Sequence, residues 1–328
     1  MRVAAIPNLD PASYVRHTTH GESRVWIEKN CYIDIWIELL HAARFEPIAM
    51  LPFVLAIDFE GDQWTFYKPK HDELRDLYGV DVQELNMWRP IVDQAPEFLA
   101  AGKLLSLEAD AWNLPDTSGT DYKTKHTKTT IVLNDIDLEN RRLGYFHNAG
   151  YHWLEGDDFV TTLRVGAPED PNYMPYFGEF VRLDRADRKP LETLKRESAL
   201  LAEKHLGRRP KDNPVERWGA RFERDLAWLT KEGLAFYHAW AFGTTRQVGS
   251  AFELAAIYSR WLGEGHANAA AFEDAATAFD KISNGMKTFI LKGARAVNAK
   301  KPLDAKPIFD DAAAAWSAGV GALERALS

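Results

Sequence analysis

Lys29-Asn30-Cys31-Tyr32-Ile33-Asp34-Ile35-Trp36-Ile37-Glu38-Leu39-Leu40-His41-Ala42 is the stretch on which the fold turns. Tyr32, Ile35, Trp36, Leu39, Leu40 and Ala43 recur at the i, i+3, i+4, i+7 spacing of a buried helical stripe, which predicts a helix opening at the cysteine. Asn30 precedes it as an N-cap, since an asparagine oxygen accepts from the free amides of a first helical turn. Cys31 is the only cysteine in 328 residues. A thiol in a first turn faces the positive end of the helix dipole, which favours thiolate. Inert packing is the alternative for one cysteine on an apolar helix.

Working outward, the helix is expected to stop near Phe45-Glu46-Pro47, as helices tend to before proline. Ala49 to Asp58 is an apolar run of strand length. Gly61-Asp62 reads as a turn and Gln63 to Lys68 as a second strand, rich in aromatic and β-branched residues. His71 to Tyr78 is a short helix closed by Gly79, and Ala95 to Ala101 another closed by Gly102. Strands follow over Lys103 to Ala109, Tyr122 to Leu133 and Leu143 to Asn148. Between them lie the turn-rich Leu114 to Thr120 and the polar Asn134 to Arg142. Such irregular mixing predicts an α+β domain over residues 1–188.

After about residue 185 strand signals vanish. Trp218, Phe222, Leu226, Leu229, Phe236 and Trp240 mark an amphipathic helix from Pro214 to about Phe242, and Phe252 to Leu262 marks another. Ala267 to Ile282, Met286 to Val297 and Ile308 to Ala326 add three more. An all-helical domain over 189–328 is expected, with the linker at Lys189-Pro190.

Eleven Trp, eleven Tyr and seventeen Phe argue for packed cores rather than disorder. A formal net charge of −8 argues against a general nucleic-acid-binding role. One cysteine rules out an internal disulfide framework and fits a reducing compartment. Met1 to Asn8 turns polar too soon for a secretory signal, and no apolar run reaches the ~18 residues of a membrane span. A cytoplasmic protein without membrane attachment is expected.

A cysteine nucleophile needs a base and something to orient that base. His126 opens one predicted strand and Asn148 closes the next, and their midpoint, 137, falls inside the polar turn. In a symmetric antiparallel hairpin the two side chains oppose each other, with Cβ atoms ~4.5–5.5 Å apart. The order Cys31, His126, Asn148 is that of papain-like enzymes. A one-residue slip brings His147 to the working face instead. His152 and Asp137 are spare candidates.

Around this trio, Lys123, Lys125 and Lys128 offer positive charge to a thiolate or an acidic partner, with strand-edge protection as the alternative. Asp116 and Thr117, in the loop before His126, are candidates for lining the approach. Arg246, between two predicted helices, is another. Glu38 and His41 form a Glu-x-x-His pair of the di-iron kind, but no second pair exists. His17 and His20 supply two metal ligands without an evident third. Asp34 and Glu38 are expected on a solvated face. No Gly-x-Gly-x-x-Gly or Walker-type loop is present, so neither metal nor nucleotide is expected.

Glu28 to Asp34, Gly61 to Phe66, Leu114 to Thr117, His126 to Thr129 and Tyr145 to Tyr151 together resemble an uncharacterised bacterial family, domain of unknown function 1839. The resemblance covers nearly the whole chain. It implies acyl carrier proteins, and the amino acid:carrier protein ligases that load them, as partners. The layout is more distantly similar to the papain-like acyltransferases of the butirosin biosynthesis protein H kind. That likeness implies a papain-like domain followed by helices, a Cys31 acyl thioester and an aminoacyl group taken from a carrier-protein phosphopantetheine. No cofactor of its own is then required. Cysteine hydrolysis with the same triad and a non-catalytic carrier-binding module are the alternatives. The glutamine that papain-like enzymes carry before the cysteine is missing; Glu28 and Asn30 stand there, and Gln63 is the substitute candidate for the second oxyanion donor.

Overall fold

The computed structural model describes residues 2–166 and 176–328. They form two compact units that are discontinuous in sequence. Met1–Gly21, Cys31–Pro47 and Lys70–Lys189 make the first; Glu22–Asn30, Ile48–Pro69 and Pro190–Ser328 make the second. The chain is α+β, with an antiparallel sheet in its N-terminal part and helices in its C-terminal part.

The first unit is built on strands β1 (Arg2–Ala4), β4 (Asp81–Glu84), β5 (Lys103–Asp110), β6 (Lys128–Asp137), β7 (Arg142–His147), β8 (Gly150–Glu155) and β9 (Gly178–Arg182). They pair antiparallel in the order β4-β9-β5-β6-β7-β8, with β1 joining β6 beyond the end of β5. Both faces are covered, so β6 and β7 are buried along most of their length. On one face Leu105, Leu107, Ile131, Leu133, Leu143, Tyr145 and Leu154 pack with α3 (Ile91–Ala100) and α4 (Gly156–Leu163). On the other, Phe146 and Tyr151 meet the ring of Tyr14, whose hydroxyl donates to Glu38 of α1 (Cys31–Ala42).

The β6–β7 hairpin differs from the expected one. Val132 pairs with Phe146 and Leu133 with Tyr145, and a bulge at Asn134 shifts the register before Asp135 pairs with Gly144. Asn134, Asp135 and Asp137 look like turn residues, yet all three are buried in the strand. The N-terminal arm satisfies the first two: Asn134 bonds the amide and carbonyl of Ile6, and Arg2 forms an ion pair with Asp135, while Asp137 accepts from Asn140 in the turn. The strand therefore runs on to Asp137. His126 lies before β6 begins, and Asn148 sits in the tight turn to β8 with φ of 49°, a left-handed conformation that asparagine tolerates.

The second unit contains α5 (Leu191–Gly207), α6 (Pro214–Glu232), α7 (Leu234–Gly243), α8 (Thr245–Gly263), α9 (Ala269–Ala299) and α10 (Lys306–Leu327). Gly233, at φ of 92°, divides what reads as one helix into α6 and α7, and α9 is one helix of 31 residues where two are expected. Residues 22–30 are strapped to these helices: Trp26 Nε1 donates to Ser283 at 2.9 Å and Arg24 pairs with Glu253 at 3.0 Å. The expected strand over 49–58 is instead a 3-10 segment, Pro47–Ala56. A short apolar run fits either form, but Pro52 has no amide for a ladder. The hairpin after it is two short strands, β2 (Phe59–Glu60) and β3 (Gln63–Trp64).

Candidate functional site

Cys31 is the first residue of α1, at the end of the sheet where β6 begins and β7 finishes. The Thr129 hydroxyl and the backbone amides of Thr130 and Tyr32 are the donors that act on its thiol. Burial pushes the thiol up from its ordinary pKa; these three donors work against that, and the Asp34 charge adds to it. Packed into an apolar helix, the cysteine nonetheless faces polar donors, which inert packing does not call for.

From Thr129 the contacts continue inward. Thr129 Oγ1 is 2.8 Å from His147 Nε2, and His147 Nδ1 is 2.5 Å from Asp116 Oδ2. The side chains of His147 and Asp116 are 2% and 6% exposed, so water does not compete for the pair. Tyr145 donates its hydroxyl to the other Asp116 oxygen. Burial works to raise the Asp116 pKa, but the His147 hydrogen bond and charge, the His152 charge and the Tyr145 hydroxyl bring it below the ordinary carboxylate range. His152, paired with Tyr145 across β7 and β8, is lowered by burial foremost. Asp116 comes from the 3-10 turn Pro115–Thr117, whose Thr117 hydroxyl donates to the carbonyls of Ala111 and Leu114 and so fixes the turn.

The expected His126–Asn148 pair is not formed. His126 is 73% exposed, its Nδ1 lies 2.6 Å from Asp110, and its ring stacks on Trp112 at 4.5 Å between centroids. The bulge and the later turn move the strand pairing along, so His147 takes the inward position. The Asn148 amide nitrogen lies 3.5 Å from His147 Nδ1, not beside His126. Asp116, expected to line an approach, instead holds a histidine, and Thr117 is structural. Lys128 pairs with Glu108 and Lys123 with Asp158, while Lys125 is exposed. In the second unit, Gln63 and Glu28 are exposed, Asn30 donates to the Tyr67 carbonyl at 2.9 Å, and Arg246 stands in the first turn of α8.

Thr129 and Tyr145 escaped sequence reasoning, whereas His152 was a spare candidate and stands beside the site. Once His147 is placed, the two-residue repeat of a strand points to Tyr145, and the tight turn at 148–149 pairs it with His152. Asp34 and Glu38 also depart from expectation. They are buried rather than solvated and hold His20 between them, with His20 Nε2 2.9 Å from Asp34 and Nδ1 on Glu38. His41 bonds the Val15 carbonyl, so Glu38 and His41 do not converge on one point. Among the described residues, no group of three His, Cys, Asp or Glu is arranged to hold a metal ion.

Among the described residues, no helix is long and apolar enough to cross a membrane. A comparison with curated proteins gives no match. The DUF1839 N-terminal domain model matches residues 15–183, and the DUF1839 C-terminal domain model matches residues 192–325. Together they span nearly the whole chain, and the protein belongs to the DUF1839 family.

Proposed function

We propose that the protein is an acyltransferase, aminoacyl by preference, that works through a thioester on Cys31. The observation that carries this is the buried Asp116–His147–Thr129 series on the strand ends beside Cys31 at the start of α1. Nucleophile, base and orienting carboxylate are the three parts that covalent acyl transfer needs. His147 is the base and Asp116 its orienter, in place of the His126 and Asn148 of the sequence reading. The papain-like arrangement expected from the resemblance is retained here as a proposal for the first unit.

The carrier protein brings its acyl group as a phosphopantetheine thioester. The Cys31 thiolate attacks the carbonyl, the Cys31 backbone amide at the helix start supports the oxyanion, and the phosphopantetheine thiolate leaves and takes the proton from His147. An acceptor amine then attacks the Cys31 thioester, giving an amide and the free thiol. Thioester exchange is nearly isoenergetic, so the site's task is to position groups and keep water out. Burial of the His147–Asp116 pair supports transfer over hydrolysis.

Intact-protein mass after mixing with an aminoacylated carrier protein tests this. A mass gain that is lost in Cys31→Ala and retained in His126→Ala is the expected result. Release of free acid without transfer would turn the assignment to hydrolysis. Absence of any adduct, with carrier binding unchanged in Cys31→Ala, would replace it with a binding module.

A further inference from the structure

We propose that the outward face of α7, flanked by Trp228 of α6 and by Lys287, Leu291 and Arg295 of α9, docks on an anionic lipid surface. The inference goes beyond the chemistry at Cys31 and does not depend on it.

α7 reads Leu234-Ala235-Phe236-Tyr237-His238-Ala239-Trp240-Ala241-Phe242-Gly243, without an Asp, Glu, Lys or Arg. A helix apolar all round is one that folding buries. Here only Tyr237 and Ala241 are buried, and Ala235, Phe236, His238, Ala239, Phe242 and Gly243 form the outward face. That face is held firmly. Tyr237 donates its hydroxyl to the Ile290 carbonyl at 3.0 Å, and its ring lies over Gly293 of α9, where a Cβ would collide with it. Phe236, Phe242 and Leu291 are 39%, 47% and 61% exposed. Trp228, also exposed, meets Phe236 edge-to-face at 4.8 Å between centroids. One exposed apolar residue is ordinary, but four on helices joined by such contacts make a patch, and a patch marks a surface that something covers.

Charge decides what covers it. The chain as a whole carries −8, yet between Asp280 and Asp304 it has six basic residues and no acidic one. Between Glu232 and Glu253 the only formal charge is Arg246, with histidine counted neutral. Lys281 pairs with Asp311; among the described residues Lys287, Lys292, Arg295, Lys300 and Lys301 form no ion pair. Ile290 and Gly293 meet Tyr237, so Lys287, Leu291 and Arg295, spaced i, i+4, i+8, take the next row toward solvent. Unpaired cations thus border exposed rings. An anionic bilayer answers both, since its headgroups neutralise the cations and its acyl boundary takes the rings. A protein interface brings about one hydrogen bond per 100–200 Å², and the outward face of α7 has only His238 to offer one. A second copy would bring the same cations together. Such a contact needs no membrane span, and it departs from the sequence expectation of no membrane attachment.

Co-sedimentation of the full chain with vesicles of phosphatidylcholine, alone or mixed with phosphatidylglycerol, tests this. Wild type should pellet with the mixed vesicles, far less with phosphatidylcholine alone, and less as salt is raised. Phe236→Ser and Phe242→Ser should each lower the partition by about tenfold. Lys287→Gln combined with Arg295→Gln should lower it by about tenfold on the mixed vesicles only. None of the four residues is buried, so circular dichroism should match wild type in every variant. Failure to pellet with mixed vesicles overturns the proposal, as does pelleting that both serine variants retain. Binding of an acyl carrier protein that these variants lose, without vesicle binding, would give the face to a protein partner instead. Cys31→Ala should pellet as wild type does, so this assignment and acyl transfer stand or fall separately.

Discussion

His147 and Asp116 stand 31 residues apart in sequence and meet through a 2.5 Å hydrogen bond in the interior of the first unit. The carboxylate fixes which ring nitrogen carries the proton and leaves Nε2 free to accept. A histidine so held differs in kind from His126, which shares its own aspartate with solvent.

Exchanging Asp116 for Asn removes the acceptor that sets the tautomer while keeping the shape. Acylation or alkylation of Cys31 near pH 7 should fall by about 10²-fold or more, with the fold retained by circular dichroism. His126→Ala should change the rate less than about twofold. Equal losses in the two variants would return the base to His126.

Asn134 sits fully buried in the β6 bulge and bonds both backbone groups of Ile6 and the Tyr151 hydroxyl. Asn134→Ala leaves these partners unsatisfied, which costs about 1–3 kcal/mol. Urea unfolding should show the lower midpoint, and limited proteolysis should cut residues 2–16 faster. An unchanged midpoint would mean that the arm is held elsewhere.

Acid should weaken the fold well before carboxylates titrate. Burial lowers His17 from 6.5 to about 4, and its Nδ1 accepts from the Thr19 amide, as only an unprotonated nitrogen does. His152 is lowered as well. Between these values the unfolded chain binds more protons than the folded one, so stability is full above about pH 6.5 and falls as pH drops toward 4. Denaturation midpoints at stepped pH should show this slope, and His17→Gln should flatten it.

Two glycines in the second unit should respond in opposite directions. A Cβ on Gly249 would come within 2.3 Å of the Trp26 ring, so Gly249→Ala should destabilise by about 1–3 kcal/mol. Gly285, inside α9, has nothing within 4 Å of its added carbon, and Gly285→Ala should stabilise by up to about 1 kcal/mol. Thermal unfolding of both variants checks the pair.

Where local preference and tertiary demand agree, the fold was legible. The α2 helix spans His71–Tyr78 as read, closed by Gly79 at φ of 69°, because its apolar spacing and its cap point the same way. The β6–β7 hairpin was not legible, because Asn134 and Asp135 carry turn-forming side chains that the distant residues 2–6 make tolerable in a strand. That displacement alone separates His126 from His147. Cys31, His147 and Asp116 were each singled out, yet their grouping depends on a bulge that no local pattern announces. Thr129 had no signal of its own; one threonine in a β-branched run is distinguished only by what stands on either side of it.

The discontinuity of the two units has a consequence for the order in which the protein is made. Residues 22–30 and 48–69 leave the ribosome more than a hundred residues before the helices they join are complete. Until α8 and α9 exist, Trp26 has neither Gly249 nor Ser283 to rest on, so the early chain has to wait for the late one. A single cut at residue 189 would separate each strap from its helices rather than release two finished halves. Cys31 is the first residue after one of these crossings, so the timing that closes the second unit also decides when the segment leading into the thiol is tied down.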